Sequence, residues 1–187
     1  DINFENNLFE ANFTFVEPQT DINHGLYGGL DESNSQFEII PSEITQSGED
    51  LRKEFVGGSI VNFAGTFTYR SPLQSVQLLV DKKFNISKDN IKVYEILTTE
   101  SGIELKEIEN VDIYAARQKS DDLIMFNFIN RISLNTPVLI HYSVTVPDIN
   151  AGIYTNTLRV GTKEKLTSIK SIKQIDENNS ENLPYLF

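Results

Sequence analysis

The sequence of 187 residues contains no cysteine and no tryptophan, one methionine and two histidines. The absence of cysteine excludes disulfide scaffolds, cysteine-ligated zinc, iron–sulfur clusters and thiol catalysis. No apolar run approaches the roughly 18 residues that span a bilayer, so we expect no membrane insertion. A chain of this length buries about 70% of its unfolded surface, and it can therefore fold without a disulfide or a metal.

Basic side chains are missing from the first 50 residues, which contain 11 acids and no Lys or Arg. The rest of the chain contains 16 acids and 16 bases, so the whole net charge of −11 lies in this first segment. An acidic surface repels phosphate backbones, which makes nucleic acid a poor partner. A basic protein, a divalent cation or solubility alone remain as reasons for the acidic segment.

Alternating apolar and polar residues dominate residues 59–160 and predict β-strands. The clearest apolar row is Val138, Ile140, Tyr142, Val144 and Val146. Gly65 interrupts another such row, which indicates a bulge or a close backbone approach. Turn-forming residues separate the runs, and several short strands at this spacing favour a sandwich of two sheets.

We therefore predict an all-β protein, an Ig-like β-sandwich with an acidic N-terminal extension. Residues 51–165 are expected to form the sandwich, with about seven to nine strands between Leu51 and Val160. Residues 1–50 either add strands to an edge of the sandwich or form a small β subdomain, with a glycine-rich loop at His24–Gly29. Residues 166–187 form a C-terminal segment and tail, which begins as a short amphipathic helix or an irregular edge strand.

Sequence motifs of common catalytic sites are also missing. The two histidines, His24 and His141, are far apart in the sequence, and His141 lies on the polar face of its strand. There is no Gly-x-Ser-x-Gly elbow, no His-Glu-x-x-His and no phosphate-binding glycine loop. We therefore expect a protein that is not an enzyme, although an acid pair in a deep cleft would support a hydrolase.

The acidic segment contains one candidate calcium loop. Asp21, Asn23 and Glu32 stand at its positions one, three and twelve, and Asp31 precedes the last of them. Leu26 occupies the position where an EF-hand requires glycine, and no helices are expected on either side. We predict no cofactor and no dedicated metal site, with weak calcium binding by a non-helical loop left open.

Three polar residues, Lys53, Glu95 and Asn156, each stand between apolar residues at i−2 and i+2. The period of two in a strand puts each of them on the same face as its apolar neighbours. Because a buried charge is costly unless it is paired, the three side chains are expected to meet if those faces point inward. The alternatives are that Asn156 caps backbone groups and that Lys53 and Glu95 keep their charges in water.

Four pieces of the sequence carry a family resemblance, and they are Gly57–Phe63, Pro72–Asp81, Ile91–Ile96 and His141–Thr157. With them, Val56–Val160 resembles the Ig-like modules of Gram-positive bacterial surface proteins, of the adhesin and pilin-type repeat class. The last piece is similar to the Tyr-Thr-Val … Gly-x-Tyr-x-Asn ending of those repeats, and the third to a strand of fibrinogen-binding staphylococcal adhesins. The resemblance covers a little over half of the chain.

The resemblance also implies a chemistry for the three polar residues. In some of these families a Lys of an early strand and an Asn of the last strand condense into an isopeptide bond, promoted by a neighbouring acid. Lys53 and Asn156 would be the partners here, with Glu95 as the acid and Asp81 as a second candidate. Burial would favour the neutral amine of Lys53 that the condensation requires.

In function, the resemblance implies a non-enzymatic extracellular module of a bacterial cell-surface protein, with an adhesive or structural role. Its partner would be a host or neighbouring surface protein, or a glycan. The alternative is a carbohydrate-binding or accessory domain of a secreted enzyme, for which Tyr27, Tyr114 and Tyr185 are candidate aromatic residues. A coplanar pair of exposed Tyr rings would favour sugar, and a groove between sheet edges would favour a peptide or protein that adds a strand.

Overall fold

A computed structural model describes residues 21–31, 36–148 and 151–173. These residues form twelve strands and two 3-10 turns, Lys82–Phe84 and Lys88–Asn90, and neither turn is long enough to cross a membrane. The strands are β1 (Asn23–Asp31), β2 (Gln36–Ile40), β3 (Glu54–Val56), β4 (Ile60–Tyr69), β5 (Val76–Asp81), β6 (Ile91–Thr99), β7 (Gly102–Glu107), β8 (Asp112–Arg117), β9 (Asp121–Asn127), β10 (Thr136–Thr145), β11 (Gly152–Val160) and β12 (Lys163–Ile172). The all-β prediction is confirmed.

The strands form two six-stranded sheets that pack on each other as a sandwich. The front sheet has the order β2-β1-β4-β10-β6-β7, and the back sheet has the order β3-β12-β11-β5-β9-β8. The strand pairs are antiparallel except for β3 with β12. Apolar side chains that alternate along the strands fill the space between the sheets, as expected for an Ig-like sandwich. The largest of those fully buried are Tyr142, Phe63, Phe128, Leu78 and Ile124.

The acidic segment and the C-terminal segment both belong to these sheets. β1 and β2 extend the front sheet, which is the first of the two arrangements expected for residues 1–50. β12 lies between β3 and β11 in the back sheet, so the sandwich continues past residue 165. Thr167, Ile169 and Ser171 are buried in alternation along β12, which makes this segment a regular strand and not a helix. The edge strand expected as the alternative is also corrected, because β3 pairs with the outer side of β12.

The prediction of a glycine-rich loop at His24–Gly29 was wrong, because these residues lie within β1. Gly25 shows the physical reason for a glycine in this strand. A Cβ added there would overlap the backbone carbonyl oxygen of Ile40, so only glycine permits β2 to approach so closely. The glycine serves a contact between strands and does not mark a loop.

Gly65 faces the interior of the sandwich, as its position in the apolar row of β4 predicts. A Cβ added there would lie 2.5 Å from Cδ2 of Leu158, which is completely buried in the back sheet. The group closest to this Cβ is thus a side chain, and the nearest backbone atom, the carbonyl oxygen of Asn23, would lie 3.5 Å away. The missing side chain leaves the room that Leu158 occupies between the sheets.

The two lateral sides of the sandwich differ. On the side that we call the sealed side, residues 41–53 run along β12, and Ser42 exchanges hydrogen bonds with Ser168 at 2.5 and 2.6 Å. Ion pairs from Lys165 to Glu43 at 2.8 Å and from Lys170 to Asp50 at 3.0 Å add to this closure. On the opposite side, which we call the open side, β7 and β8 are the edge strands of the front and back sheets.

We expect Gly65→Ala to lower the free energy of unfolding by about 1–3 kcal/mol, because the added methyl group overpacks a filled core. Urea unfolding followed by circular dichroism measures the change. Gly152→Ala is the matched control, since its Cβ would meet nothing closer than Tyr154 at 4.0 Å. Equal effects of the two substitutions would contradict the close contact of Gly65 with Leu158.

Candidate functional site

A cluster of four polar side chains lies in the core where β1, β10, β11 and β12 meet. His24, Tyr142, Asn156 and Thr167 are each at most 1% exposed. Sequence reasoning missed this cluster, because His24 was expected in a loop and Tyr142 was counted only as an apolar residue. One signal was available, since His24 stands between the apolar residues at 22 and 26, as in the pattern used for Asn156.

His24 connects the two sheets through its imidazole ring. Its Nδ1 lies 3.2 Å from the carbonyl oxygen of Lys165 and 3.0 Å from Oγ1 of Thr167, and its Nε2 lies 2.8 Å from Oη of Tyr142. A carbonyl oxygen only accepts, so Nδ1 carries the proton and Nε2 accepts from the Tyr142 hydroxyl. The ring therefore joins β1 and β10 of the front sheet to β12 of the back sheet.

Burial keeps this cluster neutral. It lowers the pKa of His24 from 6.5 to about 4, against the opposing effect of the hydrogen bond to the Lys165 carbonyl. Burial also raises the pKa of Tyr142 far above its usual range, while the neighbouring Asn156 amide acts in the opposite direction. At neutral pH the sheets are therefore joined here by hydrogen bonds between uncharged groups.

Asn156 contributes to the cluster from β11. Its Oδ1 accepts a hydrogen bond from the backbone N–H of Asp81 at 3.1 Å, which is the capping role that was expected as an alternative. Its amide is close enough to the Tyr142 hydroxyl to lower the pKa of Tyr142. Within the described residues, however, its buried Nδ2 makes no hydrogen bond of ordinary geometry.

We expect the stability of the fold to decrease as the pH falls from about 6.5 to about 4. Below pH 6.5 the unfolded chain binds a proton at His24 that the folded chain, with its pKa of about 4, does not bind. The free energy of unfolding is therefore higher above pH 6.5 than below pH 4. The contribution of His24 to this difference is about 3 kcal/mol. Urea unfolding at a series of pH values measures it.

The control is His24→Gln, which removes the titrating ring. The difference in unfolding free energy between the parent chain and this variant should change with pH over that range. His141, whose pKa is lowered by burial and by the charge of Lys92, is present in both chains and cancels in the difference. A difference that does not depend on pH would show that His24 is not the group responsible.

The structure does not bring Lys53, Glu95 and Asn156 together. Lys53 is exposed and precedes β3, and its carbonyl accepts from the backbone N–H of Lys170 on β12. Because β12 separates β3 from β11, strand spacing puts the Cα atoms of Lys53 and Asn156 about 12 Å apart. Glu95 is half-buried in β6 of the other sheet. The core position expected for Lys53 is therefore corrected, since its strand lies at the edge of the back sheet.

Intact-mass spectrometry should find the mass of the unmodified sequence, because Lys53 and Asn156 are too far apart to react. Condensation of an amine with an Asn side chain expels ammonia and lowers the mass by about 17 Da. The control is Lys53→Ala, which removes the amine. A deficit in the parent chain that is absent from this variant would contradict the separation of the two residues.

The calcium candidates do not form one loop. Asn23 and Asp31 begin and end the nine-residue strand β1, so they flank a strand and not a loop. Asp21 lies directly before β1, and Glu32 lies outside the described residues. Across residues 21–31, 36–148 and 151–173, no three His, Asp or Glu side chains converge as a metal site requires. Calcium binding stays a prediction.

The aromatic residues considered for sugar binding lie apart. Tyr27 is half-buried in β1 and packs against His141, with 5.0 Å between ring centroids and 58° between planes. Burial raises the pKa of Tyr27, and the charge of Tyr94 adds to this effect. Tyr114 is 53% exposed on β8 of the other sheet, and Tyr185 lies outside the described residues. Tyr27 and Tyr114 therefore do not form a coplanar pair.

The open side has two cavities along β8. One of about 360 Å³ lies where the chain passes from β7 to β8, beside Ile108, Val111 and Ile113. The other, of about 200 Å³, lies beside Ala115 and the end of β8. Both cavities are lined in part by residues of β8, so a ligand bound in either one would touch that strand.

No protein-family model and no curated protein matches the chain. Among solved structures it is similar to the pilus backbone of Streptococcus pneumoniae, with 12% identity and a TM-score of 0.47 over 86% of this chain and 60% of that one. It is also similar to the major pilin subunit of Bacillus cereus, with 9% identity and a TM-score of 0.47 over 83% and 41%. A third similar structure is the C-terminal domain of an AgI/II polypeptide of Streptococcus agalactiae, with 9% identity and a TM-score of 0.44. The similarity covers 82% of this chain and 49% of that one. The chain thus spans between 41% and 60% of the length of these Gram-positive proteins, and the similarity concerns the fold alone.

Proposed function

We propose that this chain is a non-enzymatic extracellular module of a bacterial surface protein, with an adhesive or structural role and a protein or matrix ligand. The observation that supports this most is the contrast between the sealed and the open side of the sandwich. Residues 41–53 cover β12 on one side, whereas β8 has β9 as its one neighbour among the described strands. An uncovered strand edge invites pairing with another chain, so it suits a binding role.

The composition of β8 strengthens this interpretation. Edge strands are commonly protected by charged residues, Pro or bulges, and β8 has charged residues only at its two ends, Asp112 and Arg117. By contrast, β7 has charged residues at Glu104, Lys106 and Glu107. Tyr114 projects from β8 with 53% of its surface exposed, and Tyr is one of the residues that most often anchors protein interfaces.

The sequence resemblance to surface-protein modules supports the same function. Its four pieces fall on β4, β5, β6, β10 and β11. These are central strands of the two sheets, so the resemblance concerns the framework of the sandwich. The surface that would select a ligand lies elsewhere, on the open side.

We expect the full chain to show saturable binding to at least one of fibrinogen, fibronectin and collagen in surface plasmon resonance. Tyr114→Ala should weaken that binding about tenfold or more, because exposed aromatic anchors dominate interface energies. Ile153→Ala is the control, since Ile153 is 55% exposed on β11, away from β8. Binding to a glycan array and to none of the matrix proteins would support the carbohydrate-binding alternative and contradict this proposal.

A further inference from the structure

The smaller cavity of the open side is built around a buried carboxylate. It lies between β8, β9 and the turn that follows β5, and its lining includes Ile86, Lys88, Ala115, Arg117, Asp122 and Ile124. Asp122 is 6% exposed, and its Oδ1 is buried without a hydrogen bond among the described residues. The nearest cation, Nε of Arg117, lies 3.8 Å away, which is beyond hydrogen-bond distance.

A carboxylate oxygen in this position requires a donor. A buried polar atom without a partner costs free energy, and the cost is larger for a charged group. The guanidinium of Arg117 does not supply the bond at this distance, and its Nη2 donates to Oδ1 of Asn85 at 3.2 Å. A ligand that places an N–H group in the cavity could donate to the part of the Asp122 carboxylate that lines it.

The charges around the cavity select the ligand group. A cationic ligand group is disfavoured, because Lys88 and Arg117 already lie around the one carboxylate of the cavity. An anionic ligand group is disfavoured as well, because it would be repelled by the buried charge of Asp122. A carboxamide has both functions, since its N–H₂ donates to the carboxylate and its oxygen accepts from Arg117 or Lys88. The walls formed by Ile86 and Ile124 can pack against the methylene groups that precede the amide.

The edge of β8 shows how such a side chain would be delivered. Ile113, Ala115 and Arg117 alternate on one face of β8, and both cavities lie on that face. A strand paired with β8 would also present alternate side chains to this face, two residues apart. A side chain two residues from the carboxamide would thus lie over Ile113 at the larger cavity, where Ile108 and Val111 are partly buried.

We propose that β8 receives an extended peptide segment as an added strand, and that the cavity at Asp122 binds an Asn or Gln side chain of that segment. The proposal rests on the proposed function of the chain as a protein-binding module, and it names the surface that binds. Backbone hydrogen bonds to β8 supply affinity, and Asp122 supplies the choice of side chain.

The first test uses the full chain and the peptide acetyl-Thr-Val-Thr-Gln-Thr-Val-Thr-amide, with Leu, Lys and Glu in place of Gln as comparisons. Titration calorimetry should find the Gln peptide bound at least tenfold more tightly than the other three. In Asp122→Ala the four peptides should differ by less than threefold. Tighter binding of the Leu, Lys or Glu peptide to the parent chain would overturn the assignment of the cavity.

Asp122→Leu is a second variant, in case the alanine variant does not fold. It has a side chain of similar size and leaves no unpaired polar atom, so it should keep the melting temperature of the parent chain. It should lose the preference for Gln as well. A preference that survives in a folded variant without the carboxylate would overturn the role of Asp122.

The second test concerns the strand edge. Adjacent residues of a strand direct their N–H groups to opposite sides, so one of Ala115→Pro and Ala116→Pro breaks a bond to β9 and the other removes an outward donor. Melting temperatures identify the outward position as the variant that stays stable. That variant should lose at least tenfold in affinity for the Gln peptide, and unchanged affinity would overturn strand addition.

The two proposals fail in different ways. If the parent chain binds a matrix protein and the stable proline variant binds it equally well, the surface is misassigned and the proposed function stands. If the Gln peptide binds to β8 as described and no matrix protein binds, the surface is supported and the proposed ligand class is wrong. Absence of binding by all four peptides would overturn the inference about β8.

Discussion

The closed arrangement of the sandwich depends on the hydrogen bonds that the neutral imidazole of His24 makes to both sheets. The ring lies in β1, accepts from Tyr142 in the same sheet and donates to the backbone of β12 in the other. A charged ring could not accept from Tyr142, and it would have to remain in a core without a counter-ion among its hydrogen-bond partners. The same burial that makes the ring costly to protonate thus fixes the tautomer that joins the sheets.

The sandwich is asymmetric, and the asymmetry follows from the chain's connections. The residues between β2 and β3 must pass from the front sheet to the back sheet, and they do so along β12, where Ser42 and two ion pairs hold them. The passage from β7 to β8 takes only residues 108–111, so this connection itself does not run along either edge. Among the described residues, one side is therefore covered by a long connection, and the other has only a short one.

Local patterns predicted the parts of the fold that depend on local geometry. The apolar row of β10 was placed correctly, because the period of two is a property of any strand half-buried in a sheet. The same rule failed for Lys53, since apolar neighbours at i±2 do not distinguish a central strand from an edge. The partners of His24 are 118 to 143 residues away along the chain. No local pattern contains such contacts, so the buried cluster and the cavity became visible only in the structure.

The distance along the chain between His24 and Thr167 also determines how long β1 waits for its partners during synthesis. During synthesis β1 emerges early, but the carbonyl of Lys165 and the hydroxyl of Thr167 are made more than 140 residues later. At about 5–20 residues per second, β1 remains without its partners in the back sheet for on the order of ten seconds. Throughout that interval the first 50 residues, with 11 acids and no Lys or Arg, carry a net negative charge, and like charges oppose association between unfinished chains.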